Sequence, residues 1–353
     1  MSTASVEKLT WLNALVERAE SIAVVTHTHP DGDALGGTTA LLHYLSGVRG
    51  KDARIVVPNA FSSSLEFFLD SGRMVNAELC PEAASAVVSG ADLVFCLDLN
   101  TLERAAGAGP LVKASKAPKV LIDHHLYPQE EDFDLVFSET EISSASELLY
   151  KILMALPDVA GDASRLPAAC LRALMVGMTT DTNNFANSVF PSTLSMASAL
   201  LAAGVDRDDI LANLYNKYGE NRFRAMGAVL SELLHITEDG VAYFVMDKNF
   251  LEKFEIEEGD TEGFVNLPLG IDRVKISVFL KEDAEYFRVS VRSKKGWSAN
   301  RLARSHFNGG GHECAAGGRL YFPGDIASPA DASRYVETVS ARFMREESPA
   351  CKK

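Results

Sequence analysis

Through its first half the chain alternates short apolar runs with longer amphipathic stretches. That is the pattern of an α/β fold, a mainly parallel sheet with flanking helices. Residues 22–26 (IAVVT), 53–57 (ARIVV), 93–97 (LVFCL) and 119–122 (KVLI) predict strands. A helix is predicted over about 33–45. Helices then dominate 144–234, with breaks at Pro157, at 181–184 and at Gly204. From Ile236 the texture changes. VAYFVM, VKISVFL and YFRVSVRS are β-rich; a helix follows at about 298–307, then GGGH, the strand GGRLYF and a helical segment over 329–346. This predicts a smaller α+β domain. The expected division is a catalytic domain over 1–217, a helical linker over 218–234 and a second domain over 235–345.

At 353 residues, two domains are the default. Apolar residues make up 47% and charged residues 23%, ordinary for a folded soluble protein. No apolar run is long enough to span a bilayer. The first twenty residues read as an amphipathic helix with acids rather than a signal peptide, so a cytoplasmic location is expected. The cysteines (Cys80, Cys96, Cys170, Cys314, Cys351) are scattered, without CxxC pairing, and predict reduced thiols.

The net charge of −14 argues against a protein that tracks long duplex nucleic acid. The charge is uneven, however. Residues 247–262 hold seven acids, Glu258 among them, against Lys248 and Lys253, whereas residues 287–319 hold seven bases against Glu313 alone. The second stretch is either a solvated face or a zone that attracts anions.

The chemistry gathers at strand ends. His27-Thr28-His29-Pro30-Asp31-Gly32-Asp33 follows IAVVT, Asp98 follows LVFCL, and Asp123-His124-His125 follows KVLI. Asp181 lies in GMTTDTNNF, after an apolar helical run. Ligands of open parallel sheets bind at the carboxyl ends of strands. If these strands are neighbours, the side chains share one pocket. Singly, each motif has a plain structural reading as a turn, a helix cap or a surface loop. Together they do not, because close carboxylates force protonation unless cations compensate. Oxygen ligands with a few imidazoles suit Mn²⁺ or Mg²⁺. Two such ions sharing a carboxylate form a clamp for displacement at phosphorus.

These four motifs resemble the DHH phosphoesterase superfamily, and Asp123-His124-His125 is its signature tripeptide. The second half resembles the DHHA1 domain through Arg292-Ser293 and Gly309-Gly310-Gly311-His312, with Ala315-Ala316-Gly317 following. Size and motif style look most like the bacterial nanoRNase/pAp-phosphatase group. The resemblance implies two Mn²⁺ ions, with Mg²⁺ or Co²⁺ as substitutes. One would take His27, Asp31 and Asp98; the other would take Asp33, Asp98, His124 and Asp181. It implies that His125 contacts the scissile phosphate, that Asp123 orients His124, and that Arg292, Ser293, Gly309, Gly310, Gly311 and His312 bind substrate. Two positions depart from the family pattern: Asn183 and Asn308 stand where glycine is usual. Asparagine tolerates positive φ, so both loops are expected to survive. His29 has no family role and reads as loop variation.

The implied reaction is hydrolysis of short single-stranded RNA or of 3′-phosphoadenosine-5′-phosphate (pAp) to 5′-mononucleotides. Cyclic- or linear-dinucleotide phosphodiesterase action and a non-catalytic nucleotide sensor are the alternatives. No membrane partner is expected, and a homodimer is left open.

Overall fold

The apolar runs of the first half become strands of one parallel sheet, each buried on both faces. The computed structural model describes residues 5–257 and 259–347; Glu258 and Cys351 lie outside the described residues. The chain divides into two compact units, Met1–Lys217 and Tyr218–Lys353.

In order, the first unit contains α1 (Val6–Arg18), β1 (Ser21–Val25), α2 (Gly32–Gly47), β2 (Asp52–Val57), β3 (Met74–Asn76), α3 (Pro81–Ser89), β4 (Leu93–Leu97), α4 (Ala108–Ala114), β5 (Lys119–Asp123), β6 (Leu135–Ser138), α5 (Ala145–Ala155), α6 (Ala168–Asp181), α7 (Pro191–Ala202) and α8 (Arg207–Tyr215). The strand order is β3-β2-β1-β4-β5-β6, all parallel. Alternate residues of each strand feed opposite cores, as the pleat requires. Ile22, Val24, Ile55 and Phe95 join Leu35, Leu42 and Leu174 on one face. Ala23, Val25, Val56 and Cys96 join Ala84, Val88 and Val112 on the other. The four central strands lie where the apolar runs predict. The edge strands β3 and β6 were not predicted. They are three and four residues long and only partly buried, so any apolar run in them is too short to stand out.

Helices α2 and α6 touch backbone to backbone. A Cβ on Gly36 would lie 2.7 Å from the Ala173 carbonyl oxygen and 2.8 Å from Gly177 Cα. One turn earlier, a Cβ on Gly32 would run into the Thr180 side chain. Only residues without a side chain permit this crossing.

The second unit contains α9 (Glu220–Ala228), β7 (His235–Ile236), β8 (Val241–Met246), α10 (Lys248–Lys253), β9 (Ile276–Glu282), β10 (Tyr286–Ser293), α11 (Ala299–His306), β11 (Gly310–Gly311), β12 (Ala315–Tyr321) and α12 (Ala332–Glu347). Its sheet runs β11-β12-β10-β9-β8-β7 and is mixed: β8 and β9 pair parallel, the other neighbours antiparallel. Phe287, Val289 and Val291 pack under α11 and α12 on one face. Phe244, Met246 and Phe279 pack on the other face with Ala225, Ala228 and Val229. Residues 220–233 thus form a helix and a π-helical turn that help to build the second unit's core. Among the described residues, no helix is long and apolar enough to cross a membrane.

Candidate active site

The sheet order places a switch point between β1 and β4. These strands are hydrogen-bonded neighbours, yet the chain proceeds from β1 toward β2 on one side and from β4 toward β5 on the other. Loops leaving them diverge and open a crevice. His27 leaves β1 and Asp98 leaves β4, and His27 Nε2 lies 3.2 Å from Asp98 Oδ2. Asp31 caps α2, accepting the Asp33 and Ala34 N–H groups at 3.0 and 3.1 Å. This cap fixes the loop and holds Asp31 Oδ1 3.9 Å from His27 Nε2.

Asp98 sits in the left-handed region, with φ +58, where Asp is among the better-tolerated residues. Its N–H still reaches the Ile122 carbonyl at 3.0 Å, so the backbone stays tied to β5 while the side chain turns into the crevice. There it faces His27, His124 Nε2 at 3.4 Å and His125 Nδ1 at 3.5 Å. His124 Nε2 also lies 3.7 Å from Asp33 Oδ2 and 3.5 Å from Asp181 Oδ2. Asp33 is clamped from a distant element, accepting the N–H groups of Ala145 (2.6 Å) and Ser146 (2.9 Å) at the start of α5. A helix N-terminus favours a carboxylate there. Asp181 is the last residue of α6, brought in by the glycine crossing with α2.

His27, Asp33, Asp98, Asp123, His124 and His125 are all buried. Burial pushes Asp33 up to about 7, with the Asp98 charge adding to it. Burial likewise raises Asp181 well above the carboxylate range, against the pull of His124. Burial also works against an ionised Asp98, but the His124 and His27 rings beside it outweigh that and hold the pKa far down. Burial disfavours charged imidazoles, yet Asp181 and Asp98 lift His124 to about 10, and Asp98 lifts His27. His125 is lowered by burial and by the Arg104 cation, against its bond to Asp123.

This cluster is short of positive charge, and its geometry fits cations. Within the first unit, three sets of side chains offer ligand atoms within 4.8 Å of one another: His27, Asp31 and Asp98; Asp33, His124 and Asp181; and Asp98, Asp123 and His125. Asp98 Oδ1 is buried without a hydrogen-bond partner among the described residues. An orphaned carboxylate oxygen facing imidazole nitrogens is what a site built for divalent ions would present.

Two expected contacts differ. Asp123 does not sit on His124. Its carboxylate takes His125 Nδ1 at 2.8 Å and the His125 N–H at 3.1 Å, because its place at the end of β5 turns it back under the second imidazole. Ser293, expected to meet substrate, is buried and donates its hydroxyl to the Trp297 carbonyl at 2.6 Å. Arg292 lies half-buried on β10 with Nη1 on the Val291 carbonyl at 3.0 Å. The glycine run has a packing reason as well. A Cβ on Gly309 would meet the Gly317 carbonyl, one on Gly311 the Ala315 carbonyl, and Gly310–Gly311 pair with β12. His312 follows, its N–H on the Ala315 carbonyl at 2.7 Å. Asn183 and Asn308 have φ of +46 and +47, the conformation glycine would supply.

Other participants carry no sequence signal. His29 has φ +50, and its N–H reaches Asn59 Oδ1 at 2.6 Å, which pins the loop between His27 and Asp31. The Arg104 carbonyl accepts the Thr28 N–H at 2.7 Å, and its cation acts on both His27 and His125. Asn59 and Arg104 belong to no motif; only the fold brings them in.

Residues 21–178 match the DHH family N-terminal domain and residues 238–328 match the DHHA1 domain. The chain belongs to the DHH/DHHA1 family. It is similar to the probable bifunctional oligoribonuclease and PAP phosphatase NrnA of Streptococcus mutans, at 26% identity over 87% of this chain and 92% of that one. The bifunctional oligoribonuclease and PAP phosphatase NrnA of Thermus thermophilus is 29% identical, over 89% of each chain. Among solved structures, an exopolyphosphatase-related protein from Bacteroides fragilis superposes with a TM-score of 0.87 at 35% identity, covering 99% of this chain and 98% of that one.

Proposed function

We propose that this protein hydrolyses the bond between phosphorus and a 3′-oxygen in short oligoribonucleotides and in pAp, releasing 5′-mononucleotides. The observation that carries the reading is Asp98. One carboxylate faces three imidazoles and stands between the His27–Asp31 pair and the Asp33–His124–Asp181 group. The names of the curated relatives support the substrate class.

His27, Asp31 and Asp98 would hold one divalent ion, and Asp33, Asp98, His124 and Asp181 the other, with Mn²⁺ the expected metal. When bound, two such ions activate a water and neutralise charge on phosphoryl oxygens. The chain's own residues do the rest. The α5 N–H groups keep Asp33 aimed at the crevice. Asp123 takes the Nδ1 proton of His125, which leaves Nε2 as the position that exchanges protons. Burial and the Arg104 cation disfavour the charged form of this ring, and an anionic phosphate beside it favours protonation; Nε2 then has a proton for the departing 3′-oxygen. Water supplies the new oxygen on phosphorus, and the P–O3′ bond breaks. Arg292, the 309–311 glycine loop and His312 are the proposed substrate-binding residues.

The test is initial rates of the full chain with Mn²⁺ on pAp, pApA, a 5-mer RNA, a cyclic dinucleotide and pyrophosphate, with and without EDTA. Cleavage of pAp and short RNA to 5′-mononucleotides, abolished by EDTA, is expected. A strong preference for the cyclic dinucleotide would replace this substrate assignment. Nucleotide binding without turnover on any substrate would make the protein a sensor.

A further inference from the structure

The second unit carries a surface that the motifs do not describe. Strand register aligns Lys281 of β9 with Arg288 of β10, and Arg288 with Arg319 of β12. Paired residues share a face, so three cations stand side by side across three strands. Like charges directly opposite one another destabilise a sheet, and Asp283, 3.2 Å from Arg288, is an acid placed to offset them. The next row on this face is aromatic. Tyr286 pairs with Tyr321, their ring centroids are 5.8 Å apart, and the Arg319 guanidinium lies 5.0 Å from the Tyr286 ring. Tyr321 is 40% exposed. On the other side of the basic row come Ser290 and Gly317, a flat floor of small residues, and then Arg292. The apolar cluster that covers β8 and β9 on this face includes no β10 or β12 residue among those described.

Cations for a phosphate backbone, beside rings offering a π-face to any base, are how sheets bind single strands without reading sequence. We propose that this face of β9, β10 and β12 is a track for single-stranded RNA, in which Lys281, Arg288 and Arg319 hold phosphates and Tyr286 and Tyr321 stack bases. Arg292 and Arg288 are four residues apart on one strand, about 13 Å, so a chain lying along the track spans more than one nucleotide. It favours oligomers over pAp. The inference rests on the hydrolase reading above and names where its longer substrates lie.

The test is fluorescence anisotropy of a labelled 5-mer RNA and a labelled dinucleotide on the full chain in EDTA, which prevents cleavage. Tyr321→Ala should weaken the 5-mer about ten-fold, as loss of one stacked base does, and bring the 5-mer to dinucleotide affinity ratio toward one. Tyr321→Phe keeps the ring and should retain affinity. Tyr321→Leu reads the same loss if the alanine variant does not fold. Arg319→Ala should reduce the log–log salt slope by about 0.7, the value for one phosphate contact on a single strand. Arg334→Ala removes an exposed cation of α12, which packs on the opposite face, and should change nothing. Inorganic polyphosphate carries the charge without bases. If it displaces the 5-mer as well as unlabelled RNA does, and Tyr321→Leu binds like wild type, the surface is a general anion patch and the track is wrong. If wild type with Mn²⁺ cleaves no short RNA, the hydrolase reading falls. If it cleaves RNA but the Tyr321 and Arg319 variants bind normally, only the track falls.

Discussion

Replacing Gly36 by alanine tests whether the α2–α6 crossing sets the spacing of the candidate metal ligands. The new Cβ would meet the Ala173 carbonyl oxygen at 2.7 Å and the Gly177 Cα and N at 2.8 Å, whereas ordinary contact begins at 3.4 Å. The shortfall is 0.6–0.7 Å, and both walls are helix backbone, so α2 must move away from α6. Overpacking of this kind costs about 1–3 kcal/mol. Because neither wall can rotate aside, the upper end applies. Alanine's better helix propensity returns about 1 kcal/mol. The net loss is about 2 kcal/mol, or a Tm lower by about 4–8 °C for a unit of this size. The effect on chemistry should be larger than the effect on stability. Asp33 rides on α2 and Asp181 on α6, and both face His124. A misplacement near 1 Å costs about a hundred-fold in a positioned reaction. Gly37→Ala is the internal control, since its Cβ would meet the end of the Leu97 side chain at 3.2 Å and the Ser146 hydroxyl at an ordinary 3.6 Å, and no backbone. Thermal melts with and without Mn²⁺, and kcat on pAp, read both quantities. If Gly36→Ala matches Gly37→Ala in Mn²⁺-induced stabilisation and in kcat, the crossing does not position the ligands.

Asp98→Asn should eliminate turnover on every substrate and most of the Mn²⁺-induced rise in Tm. Asp123→Ala should be milder, about 10–100-fold in activity, and should add little to His125→Ala, because Asp123 acts through that ring; additive losses in the double variant would refute the link. Arg292→Ala and His312→Ala should leave Mn²⁺ binding intact. Each should cost about 1.5–3 kcal/mol, or about one to two decades in kcat/KM, on short RNA and pAp but much less on a small generic phosphodiester. An equal loss on large and small substrates, with a lowered Tm, would make these residues structural.

Much of the first unit's sheet was legible along the chain because parallel strands buried on both faces are unbroken apolar runs. A polar residue directly after such a run marks the strand's carboxyl end, where His27, Asp98 and the Asp123-His124-His125 tripeptide stand. The left-handed turns at Asn183 and Asn308 were legible too, since few residues accept that backbone. Other features follow from which surfaces meet, and local pattern does not encode that. The edge strands β3 and β6 take their identity from their neighbours. Asp123 lies beside two histidines in sequence, and only the turn after β5 selects His125. Asp33 is held by N–H groups more than a hundred residues away, at the start of α5. The closeness of Asp33 and Asp181 depends on two glycines, Gly36 and Gly177, each of which would pass locally as an ordinary helix residue. The row of Lys281, Arg288 and Arg319 exists only through the register of three strands. A one-residue slip would send one of those cations to the opposite face, and no single strand's sequence contains its partners' alignment.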